Sequence, residues 1–238
     1  MVSSPTPPPA ADTRDADEPR TRILSAAGQE FAEKGYEAAT IRDICTAAGV
    51  NLAAVNYYFG DKRRLYNESV KHAHQERVRQ VPRPEWPPGT LPEQKLRDFV
   101  ANMLERMLGF DQPPWQVRLM LREILHPTDA CRDLVEDYIR PHFAVLVSIL
   151  DELTGGERTQ AELRRIGLSV VGQCFLYRAA GDVVSMLIPA SEVARLHTPE
   201  QLADHISSFC LMALGRGQPP REHKPRSSAR RMAPTGRS

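Results

Sequence analysis

Residues 50–62 read VNLAAVNYYFGDK. Asn51 is a good helix cap and Gly60-Asp61 is a breaker, so Leu52 to Phe59 between them reads as one short helix. Advancing about 100° per residue from Val55 puts Leu52 and Phe59 within about 60° of it, and these three are the expected buried stripe. Ala53, Ala54 and Tyr57 then face outward, with Asn56 and Tyr58 on the flanks. Two alanines make a surface smooth enough to lie close against another body. An asparagine and two tyrosines give that surface hydrogen-bonding groups.

The residues upstream complete a pattern. Thr40 and Asp43 form a capping-box variant at the head of a helix from Ile41 to Ala48, which Gly49 ends. Two short helices joined by a tight glycine turn are the helix-turn-helix unit, whose second helix enters the DNA major groove. A helix from about Arg20 to Lys34 precedes them, with Ile23, Leu24, Ala27 and Phe31 on one face and Gly35 as its stop. Asp61 caps a fourth helix reaching about Val81. Spacing alone leaves a plain helical corner with surface tyrosines as the competing reading.

The rest of the chain supplies no other chemistry. Its 238 residues are 41% apolar and include no run near the ~18 residues that span a bilayer. The N-terminus has no basic-then-apolar signal pattern, which gives a cytoplasmic expectation. Cys45, Cys131, Cys174 and Cys210 lie far apart and make no metal-ligand spacing, so reduced, buried thiols are expected. No nucleophile elbow, H-E-x-x-H, P-loop or dinucleotide fingerprint occurs, and His72 and His74 are two apart, pointing different ways on a helix. The reading is therefore not an enzyme, with no catalytic residue, metal or cofactor.

Charge divides the chain more clearly than composition does. Residues 1–19 carry net −3, 20–81 carry +3, 82–215 carry −5 and 216–238 carry +6, for +1 overall. The Pro-rich first segment reads as a disordered leader, and the Pro-, Ser- and Arg-rich last one as a disordered basic tail, either a DNA arm or a solubilising end. The Pro-rich stretch Val81 to Glu93 marks a boundary. Beyond it helices are expected at about 93–110, 115–125, 129–153, 160–188 and 198–214. The fold class is all-α: a three-helix helix-turn-helix head (20–81, the motif at about 40–59) and a larger helical body (82–215).

The stretch Ile23 to Tyr66 resembles the DNA-binding domain of TetR-family transcriptional regulators. The matching elements are Ala26-Ala27, Phe31, Gly35-Tyr36, Thr40-Ile41, Ile44, Ala48-Gly49-Val50, Tyr57, Phe59, Lys62 and Leu65. The family commonly has Tyr where this chain has Asn56, and VNYYFGDK is similar to the CerR/CecR (YbiH-like) subgroup. Leu119 to Leu150, with Arg122-Glu123, Pro127 and Arg140-Pro141, and then Gly172 to Arg178, resemble that subgroup's C-terminal domain.

This resemblance implies a homodimeric, ligand-responsive regulator, usually a repressor, that binds a pseudo-palindromic double-stranded operator. Thr40, Tyr58 and Lys62 would hold phosphates and Arg42 a phosphate or base. Asn56 and Tyr57 would sit at the groove, Asn51 would cap the reading helix, and Ala53 and Ala54 would permit close approach. Arg63 and Arg64 read as solvated surface. The homodimer would form through 160–188 and 198–214, with Leu163, Ile166, Val170, Cys174, Val183 and Leu187 as an apolar stripe that must also serve the intramolecular core. A small-molecule effector would meet Arg122, Glu123, His126, Gln173 and Arg178, polar groups set in apolar runs, although Arg122 and Glu123 read more readily as separate surface or interhelical ion-pair residues. The competing function is a helix-turn-helix protein that works through protein contacts without reading DNA.

Overall fold

The computed structural model describes residues 13–109, 115–196 and 198–216. Every regular element among them is a helix. The expected leader and basic tail lie mostly outside the described residues. The part of the leader that is described departs from expectation: α1 begins at Thr13 and carries Pro19 inside it, rather than starting at Arg20. α1 spans Thr13–Ala38, and Gly35 (φ 81°, ψ 171°) breaks its geometry where the sequence places the stop. Only glycine adopts that backbone region without strain.

Three capped helices complete the head. α2 (Ile41–Ala48) ends on Gly49 in the left-handed region at φ 65°, and α3 (Leu52–Phe59) starts after the turn 49–51. α4 (Lys62–Gln80) starts after Asp61, whose carboxylate accepts from Arg64 N at 2.8 Å. Ile23, Phe31, Ile44, Val55, Phe59, Leu65 and Val70 are fully buried in one core. That core does not stop at Val81. Leu119, Ala130 and Leu134 join it from further along the chain, so burial of the head's apolar faces requires the body.

The body wraps a second core. α5 (Pro92–Leu108), α8 (Arg140–Leu153), α9 (Gln160–Ala179) and α12 (Pro199–Ala213) enclose Phe99, Leu104, Leu146, Leu150, Leu163, Val170 and Ile206. α6 (Trp115–Leu125) and α7 (Asp129–Leu134) lie against α1 and α4 instead. The Pro-rich segment 81–91 has no helix and is pinned along α5 by Arg106 Nε to Val81 O (2.9 Å), Asn102 Nδ2 to Pro82 O (2.7 Å) and Trp86 Nε1 to Asp98 (3.1 Å).

Two long helices expected from periodicity are interrupted. The span 129–153 contains a π-helical turn, Val135–Ile139, between α7 and α8. Pro141 follows it closely; proline has no N–H for the i−4 carbonyl, and a wider turn accommodates the lost bond. The span 160–188 breaks at Ala180 (φ −124°, ψ 26°), giving α9 and α10 (Gly181–Leu187). The Ala-Ala-Gly run there has little side chain with which packing can hold a helix together. A short α11 (Ala190–Leu196) follows Pro189 where a loop is expected.

Candidate nucleic-acid interface

The reading helix is held by its caps. Asn51 Oδ1 accepts from Ala54 N at 2.9 Å and Thr40 Oγ1 accepts from Asp43 N at 3.1 Å, as the sequence predicts. The Asp43 carboxylate is tied first to Lys34 (3.2 Å) and then to the Thr40 hydroxyl, and both hold it below the usual carboxylate range. Lys34 also pairs with Glu30 at 2.7 Å. These contacts set the position of α2 under the turn and leave the outer face of α3 uncovered.

On that face Ala53, Asn56 and Tyr57 are exposed, Tyr57 at 82%. Val55 and Phe59 are buried, as expected. Leu52 is not: it is 56% exposed. The inward stripe is Val55 and Phe59 with half-buried Ala54 and Tyr58 beside them, so its centre lies between Val55 and Tyr58. Leu52, the first helical residue, falls off both the end and the edge of that stripe. Ala54 accordingly sits closer to the head's core than to the outer face. The Tyr57 and Tyr58 rings meet edge to face at 5.0 Å, which fixes their relative orientation.

The flanking groups have a second duty. Lys62 is half-buried; its Nζ lies 4.8 Å from the Tyr36 ring centre and donates to Glu37 O at 3.2 Å. It stitches the start of α4 to the Gly35 turn while standing at a positive helix end. Thr40, Arg42, Arg63 and Arg64 are exposed, and Arg63 makes a long pair with Asp129 (3.9 Å).

Comparison with known proteins bears on the same residues. Residues 23–68 match the family described as bacterial regulatory proteins, tetR family. Residues 92–214 match the C-terminal domain of the HTH-type transcriptional dual regulator CecR. The chain belongs to the TetR family of transcriptional regulators. Among curated relatives, it is 39% identical over 66 residues to the transcriptional repressor KstR2 of Rhodococcus jostii (strain RHA1), covering 28% of this chain and only about a third, 32%, of that repressor. It is 26% identical over 185 residues to CecR of Shigella flexneri, covering 73% of this chain and 82% of that one. A TetR-like regulator from Rhodococcus sp. RHA1 superposes with TM-score 0.57 at 18% identity, over 83% of this chain and 96% of that one. HlyIIR, a hemolysin II transcriptional regulator, does so with TM-score 0.55 at 19%, over 81% and 97%. At these identities the two structures bear on the fold alone.

This TetR-family chain does not bring the five expected effector residues together. Glu123 is fully buried at the junction of head and body, where it accepts from Tyr66 Oη (2.5 Å) and from Thr128 N and Oγ1 (2.7 and 2.8 Å). Half-buried Arg122 lays its guanidinium against Gly35. His126 is exposed. Gln173 faces α12, its Nε2 3.4 Å from Cys210 Sγ, in an open cleft of about 370 Å³ between α9 and α12. Arg178, near the end of α9, has a guanidinium that burial first and Arg118 second push below its ordinary range. Of the five only Glu123 is fully buried, and the others lie at different points of α6 and α9 or, for His126, beyond the end of α6.

The expected interface stripe also turns inward in part. Leu163, Val170 and Cys174 are fully buried in the second core and Ile166 is half-buried against it. Gly167 lets Phe143 of α8 come within 2.9 Å of where a Cβ would be. The exposed apolar side chains of α9 are Leu168 and Leu176, spaced four either side of exposed Gly172, with Phe209 and Met212 exposed on α12. Val183, Met186 and Leu187 of α10 are exposed as well. Cys45, Cys174 and Cys210 are buried and Cys131 half-buried, and burial raises all four thiols, Cys174 to about 12. No described helix is long and apolar enough to cross a membrane.

Sequence reasoning passed over Tyr66, whose partner is 57 positions away, and Trp115, whose ring packs on Gly28 of α1. Neither lies in a local pattern that spacing can expose.

Proposed function

We propose that this regulator is a cytoplasmic homodimeric repressor whose two heads read the halves of a pseudo-palindromic operator and release it when a small effector binds. The observation that supports this most is the outer face of α3, where exposed Ala53, Asn56 and Tyr57 stand on a helix locked by the Asn51 cap. In this reading Asn56 pairs with a base edge, adenine being its natural bidentate partner. Tyr57 lines the groove, and Ala53 gives close approach with Ala54 behind it. Thr40, Tyr58 and Lys62 hold phosphates, and Arg42 a phosphate or base. The head comprises residues 20–81 and the ligand-binding and dimerisation body residues 82–215.

One head makes few base contacts. Two heads joined rigidly gain from a high effective concentration, which favours a dimer. The apolar surface of α9 and α12, Leu168, Leu176, Phe209 and Met212, supports an interface between two copies. An effector acts by preferring the dimer whose heads are wrongly spaced, and operator affinity falls by its differential affinity for that state. That KstR2 is a repressor favours that sign of regulation.

The test is a titration against DNA from beside the protein's own gene, with an unrelated duplex as control, at several salt concentrations. Selective binding with a steep salt slope is expected. Equal, weak binding to both duplexes and to genome-selected fragments would favour a head that works through protein contacts.

A further inference from the structure

The chain gathers positive and protonatable groups where α4, α5 and the start of α8 meet. Arg77 of α4, 5% exposed, donates to Gln80 Oε1 (3.0 Å), to Glu105 O (3.3 Å) and to Arg106 O. Arg106 of α5 spends its Nε on Val81 O, while its Nη2 is buried and meets no acceptor among the described residues. His74, one turn before Arg77, sets its ring 4.2 Å from that of Tyr138. His142 of α8 stacks on Phe99 of α5 at 4.6 Å, and both its ring nitrogens are buried with no hydrogen-bond partner among the described residues. Asn102 shares the Phe99–Arg106 face of α5; its Nδ2 donates to Pro82 O, and its buried Oδ1 has no donor among the described residues.

Positive charge dominates this neighbourhood. After burial, the influences on His74 are Arg106 and Arg83; on His142 they are Arg106, Arg83 and His74. Burial, then Arg83 and Arg77, press the Arg106 guanidinium down to about 10. Glu105 is the carboxylate felt here, and it acts on Arg77. Buried donors normally have acceptors, and a buried guanidinium such as Arg106, whose Nη2 meets none among the described residues, is a costly arrangement for folding alone. A guanidinium and an imidazole facing one region are complementary to a carboxylate, which accepts from both. The Phe99 and Tyr138 rings beside them suit an apolar body.

We propose that the effector of this regulator is an organic carboxylate with an apolar body, held between α4, α5 and α8 with Arg106 and His142 donating to its oxygens. This rests on the ligand-responsive reading above. The site joins α4 to the body, and α4 also carries Lys62 at the head, about 18 Å from His74 at 1.5 Å per residue. Occupancy therefore acts on the helix that carries the head.

The experiment uses the full chain free of DNA, screened by thermal shift and then calorimetry. The probes are aryl and alkyl carboxylates, each paired with its carboxamide, 2-naphthoate with 2-naphthamide for example. Carboxylates should raise the Tm and bind at least tenfold more tightly than their amides. Arg106→Gln and His142→Gln should each weaken carboxylate binding at least tenfold, and Arg106→Lys, which keeps the charge, should lose less. Arg158→Gln, in the α9–α12 cleft, should change nothing. Titrating the same variants against operator without ligand identifies any that fail to fold. No preference for carboxylates, or binding indifferent to both Arg106→Gln and His142→Gln, overturns the site. Carboxylate binding that leaves operator affinity unchanged overturns its role as effector. A wild-type chain that ignores DNA sinks the regulator reading instead, since calorimetry reads the site independently.

Discussion

Tyr66 Oη donates to Glu123 Oε2 at 2.5 Å, from the second turn of the head's last helix to a carboxylate buried on α6. The other oxygen of Glu123 accepts from Thr128 N and Oγ1 and so positions the start of α7. Burial first and this carboxylate second hold the phenol proton far above its ordinary range. One buried side chain thus fastens α4, α6 and α7 together. Tyr66→Phe deletes the donor and leaves a buried carboxylate oxygen unanswered, which costs about 1–3 kcal/mol. Urea unfolding should show that loss. Unchanged stability would mean that water replaces the hydroxyl.

Gly35 and Arg122 make a second head–body contact of a different kind. A Cβ at Gly35 would lie 2.3 Å from Arg122 Nη2, on a backbone at φ 81°. Gly35→Ala therefore combines backbone strain of about 1–3 kcal/mol with a steric clash. Adding Arg122→Ala should recover the clash component alone, so the double mutant remains destabilised. Full recovery in a thermal melt would show that the backbone strain is negligible.

Acid should weaken the fold through the two buried imidazoles. His74 and His142 are pressed down to about 4, by burial first and then by Arg106. Between their ordinary value of 6.5 and about 4 the unfolded chain binds more protons than the native one. Stability is thus full above pH 6.5 and falls as the pH drops through that window, by on the order of 3 kcal/mol per ring at about 1.4 kcal/mol per pH unit. His142→Phe should flatten the fall of the urea midpoint between pH 7 and 4.5, and an unchanged slope would remove His142 from the account.

The head was legible because its signals are local. Thr40, Asn51 and Asp61 cap, Gly35 and Gly49 stop, and each does so through atoms three or four residues away. Leu52 was misplaced because a helical wheel has no ends, and it lies where the core runs out. The body was legible as helices but less so as a site. The expected effector residues share only polarity within apolar runs, and Glu123 is bound to Tyr66 and Thr128 instead. His74, Arg77, Arg106 and His142 come together only through the packing of α4, α5 and α8, and no spacing along the chain reveals that. The dimer stripe shows the same limit: one face of α9 carries apolar residues for the core and another for the outside, and helical spacing does not say which of them meets a second copy.

The surface of α9 carries a prediction of its own. Leu168, Gly172 and Leu176 line one exposed face, and no neighbouring atom approaches the Cβ position of Gly172. If a second copy packs there, a large residue at Gly172 holds the two helices apart. Gly172→Leu should cost no stability within one subunit beyond helix propensity, which favours leucine by up to about 1 kcal/mol. It should still shift the sedimentation profile toward monomer at micromolar protein. Operator affinity should fall with it, because two separate heads lose the effective concentration of a rigid pair.

Asn56 and Lys62 separate the two parts of DNA recognition. The Asn56 side chain is exposed on α3, so Asn56→Ala should leave stability unchanged. It should cost on the order of 1–3 kcal/mol at one operator base pair, with altered preference there and little change on random DNA. Lys62→Ala should weaken binding to every duplex and lower the salt slope by about 1. It also removes the stitch to Glu37 and Tyr36, so Lys62→Arg, which keeps a cation there, is the control. Fluorescence anisotropy on operator and random duplexes at 50–300 mM salt, on the order of a Debye length of 5–14 Å, measures both effects. Equal losses on both duplexes for Asn56→Ala would take base reading away from that residue.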